Sequence, residues 1–247
     1  MSYPILFLWS TPRSLSTAFL RMMLERGDFF VVHEPLSSIV SQGFATIGDE
    51  RVESEAGLVE LLREKSRNSA VFVKEVTDSR YGLIDDPAFP HLATHTFLLR
   101  HPEQSIASHH AMKPEVNRDE IGYEHLLDVF DTVRVARAEV PVVIEAERLL
   151  ADPGTVVRDY CLRTGIAFLP SAMTWTPDDR REWSRTAPWH RDAAGSSGFT
   201  VIPKTYRTTV HNDPRLAAFH AHHLPFYERL RAHAVPAAGQ SVGAGSR

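Results

Sequence analysis

Residues 5–17 read ILFLWSTPRSLST. Five apolar residues, Ile5 to Trp9, read as a buried strand that stops at Ser10, Thr11 and Pro12. Beyond the loop, Leu15, Ala18, Phe19, Met22 and Met23 recur at helical spacing, and Gly27 supplies a stop. A helix is expected from about Ser14 to Arg26. A strand that turns through such a loop into a helix presents unpaired backbone N–H groups, where the helix dipole also favours negative charge. Ser14, Ser16 and Thr17 add hydroxyl donors, and Arg13 adds a planar, permanent cation. The stretch predicts a phosphate-type anion cradle. It lacks G-x-x-x-x-G-K-[ST], which counts against a nucleoside triphosphatase.

The same alternation continues along the chain. Strands are expected at Phe29–Val32, ending in His33-Glu34-Pro35, and at Ala70–Val76, Thr96–Leu99 and Val142–Ile144. Helices are expected at Glu55–Lys65, from Pro102, over Glu120–Arg137, and from Asp152-Pro153 to near Gly165. Near-continuous apolar strands between helices indicate an α/β fold: a central, mainly parallel sheet flanked by helices in three layers. Residues 1–234 read as one domain. Within it, 166–212 is weakly patterned and rich in tryptophan, arginine and proline, as acceptor or lid regions are. Residues 235–247 read as a flexible tail.

The 247 residues are 43% hydrophobic, with formal net charge −4 and pI near 6.3. That balance carries no footprint for nucleic acid or an anionic membrane surface. The one cysteine, Cys161, suits a reducing compartment. ILFLW is too short for a signal-peptide core, and no apolar run approaches the roughly 20 residues of a membrane span. The expectation is a cytoplasmic protein. Thirteen histidines raise the question of metal. The clusters His109-His110 and His220-Ala221-His222-His223 lack plain ligand spacing, so they read as solvent-facing or hydrogen-bonded, and no metal is expected.

A second anion point lies later in the chain. Arg100 ends the Thr96–Leu99 strand, Pro102 opens a helix, and Ser108 follows the arginine by eight residues, about two helical turns. Carboxyl ends of parallel strands share one edge, where ligands bind. Arg13, Glu34, Lys74 and Arg100 all fall there.

STPRSLST after a strand, followed by RHPEQSIAS, resembles the sulfotransferases that use 3′-phosphoadenosine 5′-phosphosulfate (PAPS), and is closest to a bacterial and plant branch marked by W-S-x-P-R-S-x-S-T and H-E-P. The resemblance spans about Tyr3–Ser108 and Pro141–Phe199. It includes VVIEAERLLADPGTVVRDYCLRTGI (142–166) and WHRDAAGSSGF (189–199). It implies a P-loop-like fold and PAPS as co-substrate, with adenosine 3′,5′-bisphosphate (PAP) as product. Arg13, Ser14, Leu15, Ser16 and Thr17 would hold the 5′-phosphosulfate, and Arg100 and Ser108 the 3′-phosphate. Gly195, Ser196, Ser197 and Gly198 would belong to the loop that closes over the nucleotide. Two departures are that Arg13 stands where many members have lysine, and that Lys204 falls too late for the usual ending of the glycine loop.

Sulfuryl transfer, by analogy with phosphoryl transfer, needs positioning and charge stabilisation. Arg13 and Lys74 are the candidate cations for the departing oxygen. Glu34 is the first candidate base and His33 the second; alternation along a strand argues against both facing the site. Trp175, Trp183 and Trp189 are candidates to line an acceptor cavity. Arg180, Arg181 and Arg185 would favour an anionic acceptor. The expected partner is a small molecule, anionic or aromatic, with neither nucleic acid nor membrane; a homodimer is left open. Two rival readings are a magnesium- and ATP-dependent kinase with Glu145 and Glu147 as metal acids, and a catalytically silent nucleotide-binding protein.

Overall fold

The structure, a computed structural model, describes residues 2–234, without the side chain of Arg185. The tail expected at 235–247 lies outside the described residues. In chain order the strands are β1 (Ile5–Ser10), β2 (Phe29–His33), β3 (Ala45–Ile47), β4 (Glu50–Val52), β5 (Ala70–Val76), β6 (Thr94–Leu99) and β7 (Val142–Glu145). The helices are α1 (Ser16–Arg26), α2 (Pro35–Gln42), α3 (Glu55–Lys65), α4 (Phe89–Leu92), α5 (Pro102–Met112), α6 (Tyr123–Arg137), α7 (Ala146–Ala151), α8 (Pro153–Thr164), α9 (Ala187–Ala194) and α10 (Pro214–Arg231). Single 3₁₀ turns fall at Asp119–Ile121, Pro170–Met173 and Arg181–Thr186, among others.

Five strands form one parallel sheet in the order β2-β5-β1-β6-β7, and β3 and β4 form a separate antiparallel pair. All six residues of the central strand β1 are buried, as expected of a strand covered on both faces. Alternate residues serve opposite layers. Ile5, Phe7 and Trp9 join a core with Leu58, Leu126, Phe130 and Leu216 from α3, α6 and α10. Leu6 and Leu8 join the other core, with Phe19 and Met23 of α1 and Val157 and Tyr160 of α8. The three-layer α/β arrangement expected from the strand–helix alternation is therefore the one found.

Several boundaries differ from expectation. Helix α1 starts at Ser16 rather than Ser14, because Arg13 and Leu15 take left-handed backbone conformations at φ 66° and 67°. Helix α6 starts at Tyr123, after the 3₁₀ turn Asp119–Ile121 and the left-handed Gly122. Helix α2, the β3–β4 pair and the long helix α10 add elements to the expected set. Asp213 caps α10 by accepting from the N–H groups of Arg215 and Leu216. Among the described residues, no helix is long and apolar enough to cross a membrane.

Candidate active site

Because the strands run in parallel, their carboxyl ends meet at one edge, where Ser10 pairs with Val76 of β5 and Leu98 of β6. Arg13 follows β1, Glu34 follows β2, Lys74 lies near the end of β5 and Arg100 follows β6. All four line one cavity of about 760 Å³, together with Ser14, Leu15, Ser16, Thr17 and Ser108.

The first loop is shaped by backbone geometry. Arg13 and Leu15 are left-handed without being glycine, as is Glu34 at φ 45°, a conformation that costs about 1–3 kcal/mol per residue and clusters at functional sites. Among the described residues, the backbone N–H groups of Arg13 through Thr17 find no acceptor within the protein. Ser14 is fully buried, its hydroxyl 2.6 Å from that of Thr11. The loop thus presents successive donors at a helix N-terminus, the arrangement that binds oxyanions.

The second anion point is joined to the first. Arg100 donates from Nη1 to the carbonyl oxygen of Arg13 at 2.9 Å, and Arg13 donates from Nε to the hydroxyl of Ser108 at 3.0 Å. Tyr123 fixes the chain beneath Arg100 by donating to its carbonyl oxygen. Arg13 also donates from Nη1 to the carbonyl oxygen of Trp189 at 2.6 Å and lies 3.8 Å from Asp192, both on α9. Lys204 pairs with the same Asp192 and lines the cavity. The fold therefore brings this lysine to the site although its sequence spacing does not suggest it.

Across the cavity, Lys74 forms an ion pair with Glu34, the lysine side chain 2% and the glutamate 15% exposed. Burial works to raise the Glu34 carboxyl, but Lys74 chiefly, with His33 and His190, holds it down at about 2. His33 sits behind, its Nε2 3.6 Å from Glu34, and packs on the rings of His190 and Trp183. Burial pushes His33 down to about 4. Glu34 lines the cavity and His33 does not, but strand alternation is not the cause: Glu34 lies beyond β2 in a left-handed conformation, and its carboxylate turns to within 3.6 Å of the His33 ring. Glu75, fully buried, accepts from the N–H groups of Leu36, Ser37 and Val76 and so caps α2. Burial, and then the charge of Glu34, raise Glu75 well above its ordinary range; the same two causes raise Asp78.

Other candidates are placed differently. Trp189 lines the cavity, whereas Trp175 and Trp183 belong to the core beneath the sheet. Arg180 pairs with Glu25 and Asp178, and Arg181 with Asp49, away from the cavity; the side chain of Arg185 lies outside the described residues. Neither Arg180 nor Arg181 lines the cavity. Ser196 and Gly198 line the cavity, while Gly195 ends α9 and Ser197 uses its carbonyl oxygen to hold the N–H of Trp175. Glu145 accepts from Arg231 and Glu147 from the N–H of His101, so neither stands ready as a metal acid for a kinase.

The sequence reading missed Asp78, Thr186, His190, Asp192 and the strap from Phe199 to Tyr206, all on the cavity wall. Of these, His190 and Asp192 sit inside WHRDAAGSSGF (189–199), whose histidine and aspartate are the sequence signal for them. Of the histidines in the two sequence clusters, His109 and His223 are buried and His222 pairs with Glu124. The ligand atoms of His33, Glu34 and His190 lie within 4.8 Å of one another. However, Lys74 already engages Glu34, and both ring nitrogens of His190 face threonine hydroxyls. His190 is therefore a hydrogen-bonded histidine, whereas Nε2 of His33 is buried without a hydrogen-bond partner.

A family description, "Sulfotransferase domain", matches residues 5–234. Two Arabidopsis thaliana proteins, branched-chain-amino-acid aminotransferase-like proteins 1 and 2, are 27% identical over 242 residues and 25% identical over 240. Each match takes in 93% of this chain and 42% of the relative, so the chain spans less than half the length of these relatives. The sulfotransferase domain from the curacin biosynthetic pathway has a similar fold, with 12% identity and TM-score 0.50 over 93% of this chain and 96% of that one. The sulfotransferase from Alicyclobacillus acidocaldarius has 16% identity and TM-score 0.51 over 96% of this chain and 98% of that one. The chain belongs to the sulfotransferase domain family.

Proposed function

We propose that this chain transfers a sulfuryl group from PAPS to a hydroxyl or amine of a small-molecule acceptor and releases PAP, in the cytoplasm and without a metal. The observation that carries the reading is the continuity of the Arg13 loop with Arg100 and Ser108, directly across one cavity from the Lys74–Glu34 pair. The first set suits a doubly phosphorylated nucleotide. The second suits proton removal and leaving-group stabilisation.

In the step proposed, the acceptor oxygen or nitrogen forms a bond to sulfur while the bond from sulfur to the bridging phosphate oxygen breaks, its electron pair leaving with PAP. The acceptor proton goes to Glu34. Held at about 2 by Lys74, Glu34 is a weak base in the resting pair. As charge grows on the bridging oxygen, Lys74 turns toward it, and Glu34, freed of the ammonium, gains basicity when the proton must be taken. The wall around Glu34 also carries Asp78, Ser37 and Ser41, a surface for a neutral or cationic acceptor bearing hydroxyls or amines.

The test is PAP release from PAPS across an acceptor panel. Glu34→Gln is expected to lower kcat by about 10²–10³-fold with PAP affinity retained. Turnover of ATP that requires magnesium would favour the kinase reading. PAP binding with turnover unaffected by Glu34→Gln would transfer the base role to His33.

A further inference from the structure

His190 is 6% exposed and sits on α9 with both ring nitrogens engaged. Its Nδ1 lies 2.9 Å from the hydroxyl of Thr17, the second residue of α1 and part of the anion cradle. Its Nε2 lies 3.0 Å from the hydroxyl of Thr186, one turn earlier. Burial, with the neighbouring His33, pushes His190 down to about 3, so the ring is neutral at physiological pH and carries one N–H.

The proton inventory of this chain of three groups allows two directions. In one, Thr17 donates to Nδ1, Nε2–H donates to Thr186, and Thr186 turns to the carbonyl oxygen of Trp183, 3.4 Å away. Thr17 then has no hydrogen left for a ligand. In the other, Thr186 donates to Nε2 at the shorter 3.0 Å, Nδ1–H donates to the Thr17 oxygen, and the Thr17 hydroxyl hydrogen is free to point into the cradle. A cradle for an anion needs donors, because an acceptor lone pair aimed at phosphate or sulfate oxygen repels it.

We propose that His190 is a positioning residue of the donor site: locked by Thr186 in the Nδ1–H tautomer, it holds Thr17 as a hydrogen-bond donor to the anionic end of the bound nucleotide. The inference rests on the PAPS reading for the identity of the anion; the tautomer rests on the cradle's need for donors and on the closer approach of Thr186 to His190 than to Trp183. The relay also ties the cradle to α9, whose Trp189 and Asp192 contact Arg13. One helix thus orients both a neutral and a charged donor of the same site.

Two measurements on the full chain test it. Nitrogen-15 spectra of histidine-labelled protein, with the His190 signals assigned by their loss in His190→Asn, should show Nδ1 protonated and Nε2 bare. The opposite tautomer would overturn the proposal. PAP titrations supply the second arm. Thr17→Val and His190→Gln should each weaken PAP by about five- to tenfold, the worth of one hydrogen bond. The double variant should be no weaker than either alone, since both remove the same donor. His190→Asn, whose amide nitrogen lies as many bonds from Cα as Nδ1, should recover most of the affinity; Gln places its amide at the Nε2 position. Additive losses, or equal losses in Asn and Gln, would overturn the relay. If the wild-type protein shows the Nδ1–H tautomer but does not bind PAP, the donor assignment fails and the tautomer relay remains.

Discussion

Arg100 and Arg13 are linked through the backbone: the guanidinium of Arg100 holds the carbonyl oxygen of Arg13 at 2.9 Å, while the Arg13 side chain reaches Ser108 on the helix that Arg100 precedes. The two anion points are therefore one unit, and a change at either should be felt at both. Arg100→Lys keeps the charge but lacks the planar fork that serves the loop and a phosphate together. PAP affinity should fall about tenfold in a calorimetric titration. Unchanged affinity would mean that charge alone matters at this position.

Lys74 and Glu34 form a largely buried pair, and removing one partner leaves the other charge uncompensated. Lys74→Met is expected to lower stability at pH 7 by about 3 kcal/mol in denaturant unfolding. Without the ammonium, burial is free to raise the Glu34 carboxyl, so the deficit should shrink as pH falls and Glu34 takes up a proton. A deficit that is constant with pH would show that the loss is one of packing.

Acid should destabilise the protein earlier than carboxylates alone would dictate. Burial holds His33, His95 and His109 at about 4 and His190 at about 3, all below the ordinary 6.5. The unfolded chain protonates these rings below 6.5 and the folded chain does not, so their contribution is complete above 6.5 and lost as pH falls toward 4. Glu34, depressed to about 2, adds a loss from about 4.5 downward. Glu75 and Asp78, which are raised, act in the opposite direction, but the histidines outnumber them. Tm should decline from pH 6.5 to 4.5; a flat or rising Tm would contradict the burial assigned to these rings.

Gly122 caps α6 at φ 84°. A Cβ there would lie 2.3 Å from the carbonyl oxygen of Thr77, whose hydroxyl donates to the Gly122 carbonyl at 2.9 Å and whose N–H donates to Ser10 at the end of β1. Gly122→Ala combines a left-handed backbone with a backbone clash and should cost about 3 kcal/mol or more. A loss under about 1 kcal/mol in chemical unfolding would show that Thr77 can give way.

The parallel sheet was legible in the sequence because burial on both faces leaves unbroken apolar runs such as ILFLW and AVFV. Helix α10 was not, because its pattern is interrupted by Pro225 and by three histidines. One of these, His223, is buried and donates from Nε2 to the carbonyl oxygen of Arg118, a partner that exists only in the tertiary fold. Arg13, Lys74, Glu34 and Arg100 were legible because strand ends in a parallel sheet are forced together. Lys204 and His190 reach the site within the weakly patterned 166–212 region, which includes the strap, where periodicity does not link sequence distance to spatial distance. The tryptophans misled for the same reason. Composition marked a binding region, but only the fold separates Trp189 on the cavity wall from Trp175 and Trp183 in the core.

The central claim is that one continuous set of donors, from the Arg13 loop to Ser108, holds a nucleotide at two phosphates. Calorimetric titration of the full chain with PAP, AMP, and ATP with magnesium tests it directly. The account predicts one-to-one PAP binding that needs no magnesium, AMP weaker by about 100-fold for want of the second phosphate, and loss of most PAP affinity in Arg13→Ala. Equal affinity for PAP and AMP, or binding of ATP alone and only with magnesium, would contradict it.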